Sequence, residues 1–305
     1  MQDDKQDDNI IQLLQAIRQS GKKKFVLQLP EGLKTRAAEI IAAMEKEGFE
    51  IIYAADPSYG ACDLATEQAK ICGADAIVHV GHSKFYVDIQ SDTDVIYFPW
   101  KIEIDFGAID ISPVKEETIG LVTSIQHREA IEKAKSFLEE KGKKAVIGGQ
   151  ILGCWSLAAK SIEDKVDAFL FIGSGSFHPL ALKDCSRPVY SMNIEMQRVE
   201  KIDISAWEKR RWADIYRARD AKTIGILVST KPGQKELLGV ASEIKKKLEQ
   251  SQRRAFVLIL NEITEAKLQG IKADAFINTA CPRITDETFS RPVINATDID
   301  NVLEE

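Results

Sequence analysis

The sequence has no C-x-x-C pair, no intact G-x-G-x-x-G and no long apolar run. Structural zinc normally sits in local C-x-x-C knuckles, so a zinc-stapled module is disfavoured. The longest apolar stretches, such as 255–260, fall far short of a membrane span, so no membrane association is expected. The acidic start MQDDKQDDNI lacks the basic residues and apolar core of a secretion signal, which predicts a cytoplasmic protein. Basic side chains number 41 against 47 acidic ones, a net charge of −6. No global field attracts phosphate, and nucleic acid is not an expected partner. The short basic runs at 22–24, 209–211 and 245–247 read as solvated helix faces. The five cysteines form an odd set without a secretory signal, so reduced thiols are expected rather than a disulfide framework.

What is present is an ordinary globular composition, 44% hydrophobic and 29% charged, over 305 residues. At roughly 100–150 residues per domain, that length makes two or three domains. An internal repeat decides for three. ADAIVHVG (74–81), VDAFLFIG (166–173) and ADAFINTA (273–280) each read as an acidic entry into a β-rich, continuously apolar strand. Such runs mark parallel strands covered on both faces. Each is preceded by an opening strand (24–29, 118–123, 223–230), an amphipathic helix (39–46, 130–141, 236–250) and a second strand (50–54, 144–148, 255–260). A fourth strand follows each, at 94–98, 188–193 and 292–296. The pattern predicts an α/β protein of three similar domains, each a small parallel sheet flanked by helices, at 1–104, 105–200 and 201–305. Residues 205–222 read as a long helix entering the third unit, with Trp207 and Trp212 as packing anchors.

The repeat organises the cysteines. The spacing that separates Ala74 from Val166 also separates Cys62 from Cys154, so these two occupy equivalent loops beyond the second strand. Cys281 leaves the next strand end and stands opposite His82 and Ser174. All three therefore sit at carboxyl edges of parallel sheets, where open α/β folds place ligands. If those edges face inward, the thiols converge around a shared central site. Three thiolates suit an iron–sulfur cube with one iron left open better than they suit structural zinc. A shared three-cysteine site, buried inert thiols and a nucleophilic cysteine all remain open on residues alone. Cys72 and Cys185 have no repeat equivalents and read as structural.

The loop GSGSFHP (173–179) carries His178 where a dinucleotide fingerprint needs its last glycine, which argues against a nicotinamide cofactor. Backbone amides at Gly173 and Gly175 could still meet a carboxylate or ribose. His82 and His178 lie at strand ends facing the expected crevice, whereas His79 reads as a satisfied core histidine.

The ordered series LPEGL (29–33), YGACD (59–63), VGHS (80–83), GQILGC (149–154), GSGSFHP (173–179), GILVSTKPGQ (225–234) and ACPRI (280–284) resembles the diphthamide biosynthesis enzyme family over nearly the whole chain. The resemblance implies three domains that each give one cysteine, Cys62, Cys154 and Cys281, to a [4Fe–4S] cluster. It implies a homodimer that moves the 3-amino-3-carboxypropyl group of S-adenosylmethionine to a histidine of translation elongation factor 2. The C-x3-C-x2-C loop of ordinary radical S-adenosylmethionine enzymes is absent, in keeping with a different bond being broken. Gly173, Ser174, Gly175, His178 and Gln234 are candidates for holding the methionine or nucleoside, and Arg283 for neutralising the carboxylate. No general base and no electron donor is identified. The rival on a similar architecture is a three-domain [4Fe–4S] dehydratase of the quinolinate synthase type.

Overall fold

The computed structural model describes residues 3–84, 89, 91–175 and 177–304. Among them the strands form three sheets, one per sequence repeat. The first repeat runs α1 (Asp3–Gln19), β1 (Lys24–Gln28), α2 (Ala37–Lys46), β2 (Glu50–Ala54), α3 (Thr66–Cys72), β3 (Ala76–Val80) and β4 (Asp94–Phe98). The second runs β5 (Thr118–Thr123), α4 (Ile131–Glu140), β6 (Lys144–Gln150), α5 (Leu157–Lys160), β7 (Ala168–Gly173), β8 (Val189–Asn193) and β9 (Arg198–Lys201). The third runs α6 (Ile204–Arg219), β10 (Thr223–Ser229), α7 (Leu238–Gln250), β11 (Arg254–Leu260), α8 (Glu265–Leu268), β12 (Ala275–Asn278), β13 (Val293–Asn295) and α9 (Ile299–Leu303).

The strand orders are β2-β1-β3-β4, β6-β5-β7-β8-β9 and β11-β10-β12-β13, so the three sheets share one topology. Every pairing is parallel except β8 with β9. The central β3, β7 and β12 are buried at every residue, as strands covered on both faces must be. The acidic entry common to the repeats has a physical cause. Asp75, Asp167 and Asp274 each accept from backbone N–H groups at the start of the neighbouring opening strand, at Lys23 and Lys24, at Thr118, and at Lys222 and Thr223. A carboxylate there satisfies donors that the sheet edge leaves unpaired.

Each sheet covers its own core. Leu13 and Ile17 of α1 pack with Phe25, Ile40 and Met44 in the first domain. Ile119, Leu138 and Leu170 sit in the second, and Ile224, Leu248 and Ile277 in the third. After each opening strand the chain makes a 3-10 turn before its helix, at Glu31–Arg36, Ile125–Ala130 and Pro232–Leu237. These turns and the loops after the second strands crowd the carboxyl edges. Trp207 is a packing residue as expected, donating its indole N–H to Asp286 under the Lys183 ammonium. Trp212 is not: it is 39% exposed and lies against Tyr216 and Arg211. No described helix is long and apolar enough to cross a membrane.

Candidate functional site

The carboxyl edges of the three sheets enclose a cavity of about 410 Å³, and Cys62, Cys154 and Cys281 all line it. Each cysteine is fixed by a different local device. Cys62 sits inside a turn closed by Asp63 N–H donating to the Gly60 carbonyl at 2.9 Å. Its own carbonyl accepts from Gly233 N–H of the third domain at 2.9 Å, and Asp63 pairs with Lys231. Cys154 is at the tip of a tight turn in which Leu152 and Trp155 exchange backbone hydrogen bonds of 2.9 and 3.1 Å. Cys281 caps the 3-10 turn Pro282–Asp286, with its carbonyl held by Asn278 Nδ2 at 2.8 Å.

The thiols sense one another. Burial first, then the charges of Cys281, Cys154 and Asp63, push the Cys62 thiol up to about 12. Burial and Cys281 push Cys154 up to about 11, although it is the most open of the three and faces the cavity. Burial also raises Cys281, opposed by the backbone N–H and guanidinium of Arg283. Left alone, the three stay protonated; only a strong cation would hold them together as thiolates.

Gln234, His178 and Arg283 line the same cavity. Gln234 Nε2 approaches Cys62 Sγ at 4.0 Å. His178 stacks on Phe171 with ring centroids 5.7 Å apart and is held neutral by burial, which lowers it to about 4. Arg283 is buried with its guanidinium 4.5 Å from the Phe177 ring centroid. Its Nε lies 2.6 Å from Asp286 Oδ2 but without hydrogen-bond alignment, and its Nη1 finds no partner among the described residues. Gly173, Ser174 and Gly175 are not brought into the lining. Gly173 has φ +156° and would press a Cβ to 2.7 Å from the Phe171 ring, so its glycine is accounted for by packing. Ser176 of the same loop lies outside the described residues.

Residue type and spacing leave several cavity groups unmarked. Phe177, Asp63 and Lys231 lie inside quoted motifs, but only the fold shows them meeting across domains. Tyr59 and Glu262 join the first and third domains by a 3.1 Å hydrogen bond. A second hollow of about 640 Å³ adjoins there and shares Asp63, Lys231, Asn261 and Glu262. Cys185 is buried in the second core, and Cys72 ends α3, half-buried, away from the cavity.

The fold and cavity define an α/β protein of three repeated units with a cysteine from each at one shared site. The family described as "Putative diphthamide synthesis protein" matches residues 29–305. The 2-(3-amino-3-carboxypropyl)histidine synthase of Pyrococcus horikoshii is 32% identical, over 96% of this chain and 89% of its own length. Subunit 1 of the synthase from Gallus gallus is 29% identical, over 91% of this chain and 72% of its own. The crystal structure of Dph2 from Pyrococcus horikoshii with 4Fe-4S cluster superposes with a TM-score of 0.85, covering 97% of this chain and 91% of that one. This chain belongs to the diphthamide synthesis family.

Proposed function

We propose that the chain is a 2-(3-amino-3-carboxypropyl)histidine synthase. It transfers the 3-amino-3-carboxypropyl group of S-adenosylmethionine to a histidine of translation elongation factor 2, using a [4Fe–4S] cluster held by Cys62, Cys154 and Cys281. The observation that carries this reading is that thiols from three domains line one cavity. Among the described residues no three His, Cys, Asp or Glu side chains close around a single ion. One thiol from each of three domains fits a cluster, in which each binds a different iron. When bound, the cluster supplies a one-electron reductant and an open iron for the sulfonium, the radical chemistry that this reading invokes.

The residues of the chain supply the rest. Arg283 places a buried cation beside Cys154 and Cys281, which favours their thiolates, and its unpaired Nη1 is a donor for the methionine carboxylate. Gln234 donates toward Cys62 Sγ, and such contacts tune a cluster. His178, neutral, offers a hydrogen bond without adding charge. Gly173, Ser174 and Gly175, which precede Phe177 and His178 in the chain, remain candidates for holding the methionine or nucleoside. The working protein is taken as a cytoplasmic homodimer with domains at 1–104, 105–200 and 201–305.

The test is anaerobic reconstitution with iron and sulfide, reduction, and product analysis with S-adenosylmethionine and elongation factor 2. Methylthioadenosine and a modified histidine are expected. Alkylation mapping should show Cys62, Cys154 and Cys281 protected by reconstitution while Cys72 is not. Absence of cluster absorbance, or 5′-deoxyadenosine as the main product, refutes the reading.

A further inference from the structure

The first domain carries a hydrogen-bond chain that fixes where a proton sits in the cavity. His79 on β3 is fully buried; its Nδ1 lies 2.9 Å from Gln28 Oε1 and its Nε2 lies 3.0 Å from His82 Nδ1. Gln28 is oriented by two backbone groups of the loop that bears Cys62. Its Nε2 donates to the Asp63 carbonyl at 2.7 Å, and its Oε1 accepts from Ala65 N–H at 3.2 Å. Turning the amide over would set oxygen against oxygen and N–H against N–H, so one orientation stands.

The protons follow from that end. Gln28 Oε1 accepts, so His79 Nδ1 carries the hydrogen. A neutral imidazole has one N–H, so His79 Nε2 is a lone pair and His82 Nδ1 must donate to it. His82 is thereby left with an unprotonated Nε2 on the side of the ring away from His79, and His82 lines the cavity with the three cysteines. Burial keeps both rings neutral.

We propose that His82 is the base that takes up the proton released when the target imidazole carbon is substituted, with Gln28 and His79 as the residues that position it. The assignment rests on the transferase reading above. In that reaction the sulfonium C–S bond breaks, methylthioadenosine leaves with the sulfur electron pair, and a C–C bond replaces a C–H bond. Any electron lent to start the cleavage returns, so no external oxidant is consumed, and the positive charge of the sulfonium reappears as one proton. Proton loss restores the aromatic ring, so a weak base suffices. Three of the four carboxylates that line the cavity are otherwise engaged, and the fourth, Glu287, is open to solvent. Asp63 pairs with Lys231, Glu262 accepts from Tyr59, and Glu265 accepts from Ser290. His178 has its ring stacked on Phe171, and among the described residues no comparable chain sets its tautomer.

Side-chain nitrogen NMR of the uniformly labelled full chain without cluster tests the geometry, with resonances assigned through His82→Gln and His79→Phe. Expected at neutral pH are pyrrole-like Nδ1 and pyridine-like Nε2 signals for both residues. A pyrrole-like His82 Nε2, or a doubly protonated ring, overturns the proposal. Gln28→Leu should release His82 into a mixture of tautomers. In the reconstituted enzyme, His82→Gln should lower modified elongation factor per methylthioadenosine by about 100-fold, the lower range for a positioned base. An unchanged ratio overturns the proposal, as does failure of the cluster to assemble on His82→Gln, which would make His82 a ligand. The NMR readout needs neither cluster nor substrate, so failure of the transferase reading and failure of this assignment are separately visible.

Discussion

Gly233 sits directly on Cys62: a Cβ built on the glycine would stand 2.5 Å from Cys62 Cβ and 2.6 Å from its Cα. The contact joins the loop after β10 to the cysteine loop of the first domain, and the Lys231–Asp63 ion pair closes the same joint. Backbone meets backbone, so the neighbour cannot swing aside as a long side chain would. Gly233→Ala should therefore separate the two loops and displace one thiol. A destabilisation of about 1–3 kcal/mol is expected from overpacking, with reduced iron uptake on reconstitution. Gly239→Ala is the control, since a Cβ there meets nothing within 4 Å. Denaturant unfolding and iron content decide; equal loss in both variants would show that the joint is not special.

Arg283 is the next sensitive point, because its charge is buried against Phe177, Asp286 and two cysteines. Removing one partner of a buried pair costs about 3–5 kcal/mol, since the other is left uncompensated. Asp286 retains its hydrogen bond from Trp207, so Arg283→Met should fall near the lower end of that range. Arg283→Lys restores charge without the flat face that stacks on Phe177 and should recover only part of the loss. Thermal unfolding of both variants measures the difference, and full recovery by lysine would reduce the role of Arg283 to charge alone.

Much of the fold was legible because its signals are local and thrice repeated. The strand at 50–54 and those at 94–98 and 118–123 fall where the apolar patterns placed them. Of the elements that escaped, two are instructive. The first, α1, has its buried positions at Ile10, Leu13 and Ile17 inside a segment whose acidic start drew the reading toward targeting signals. The second, β9, is a short edge strand with the burial pattern exposed, buried, exposed, exposed, too brief to show a period. It is the antiparallel exception, paired with β8 from Tyr190–Lys201 to Asn193–Arg198.

The site was legible only as positions along the chain. Register matched Cys62 to Cys154, but nothing local says that Lys231 meets Asp63, that Phe177 lies under Arg283, or that Gln28 reaches the Cys62 loop. These pairs are distant in sequence and formed by domain packing. Reading His79 as a satisfied core residue was sound, yet its partners make it a link in a chain ending at the cavity. The glycine loop shows the opposite case, where a motif suggestive of ligand binding is explained at Gly173 by an aromatic ring.

The buried histidines also set how the fold answers to acid. Burial lowers His79 from 6.5 to about 3, and lowers His82 and His178 to about 4. The unfolded chain therefore binds protons below about pH 6.5 that the folded chain refuses, and stability must fall with pH in that window. Above it the contribution is constant. For His79 alone, acidification to about pH 5 costs about 2 kcal/mol at 1.36 kcal/mol per unit. Asp63, raised by burial, acts with the opposite sign, because the folded state takes its proton first; that gain belongs to the carboxylate range, below most of the histidine window. Urea unfolding between about pH 7.5 and pH 5 should show the decline, with a shallower slope for His79→Gln, which removes the titrating ring. A slope unchanged by that substitution would mean that His79 takes up its proton in the folded protein, and the neutral chain from Gln28 to His82 would have to be abandoned.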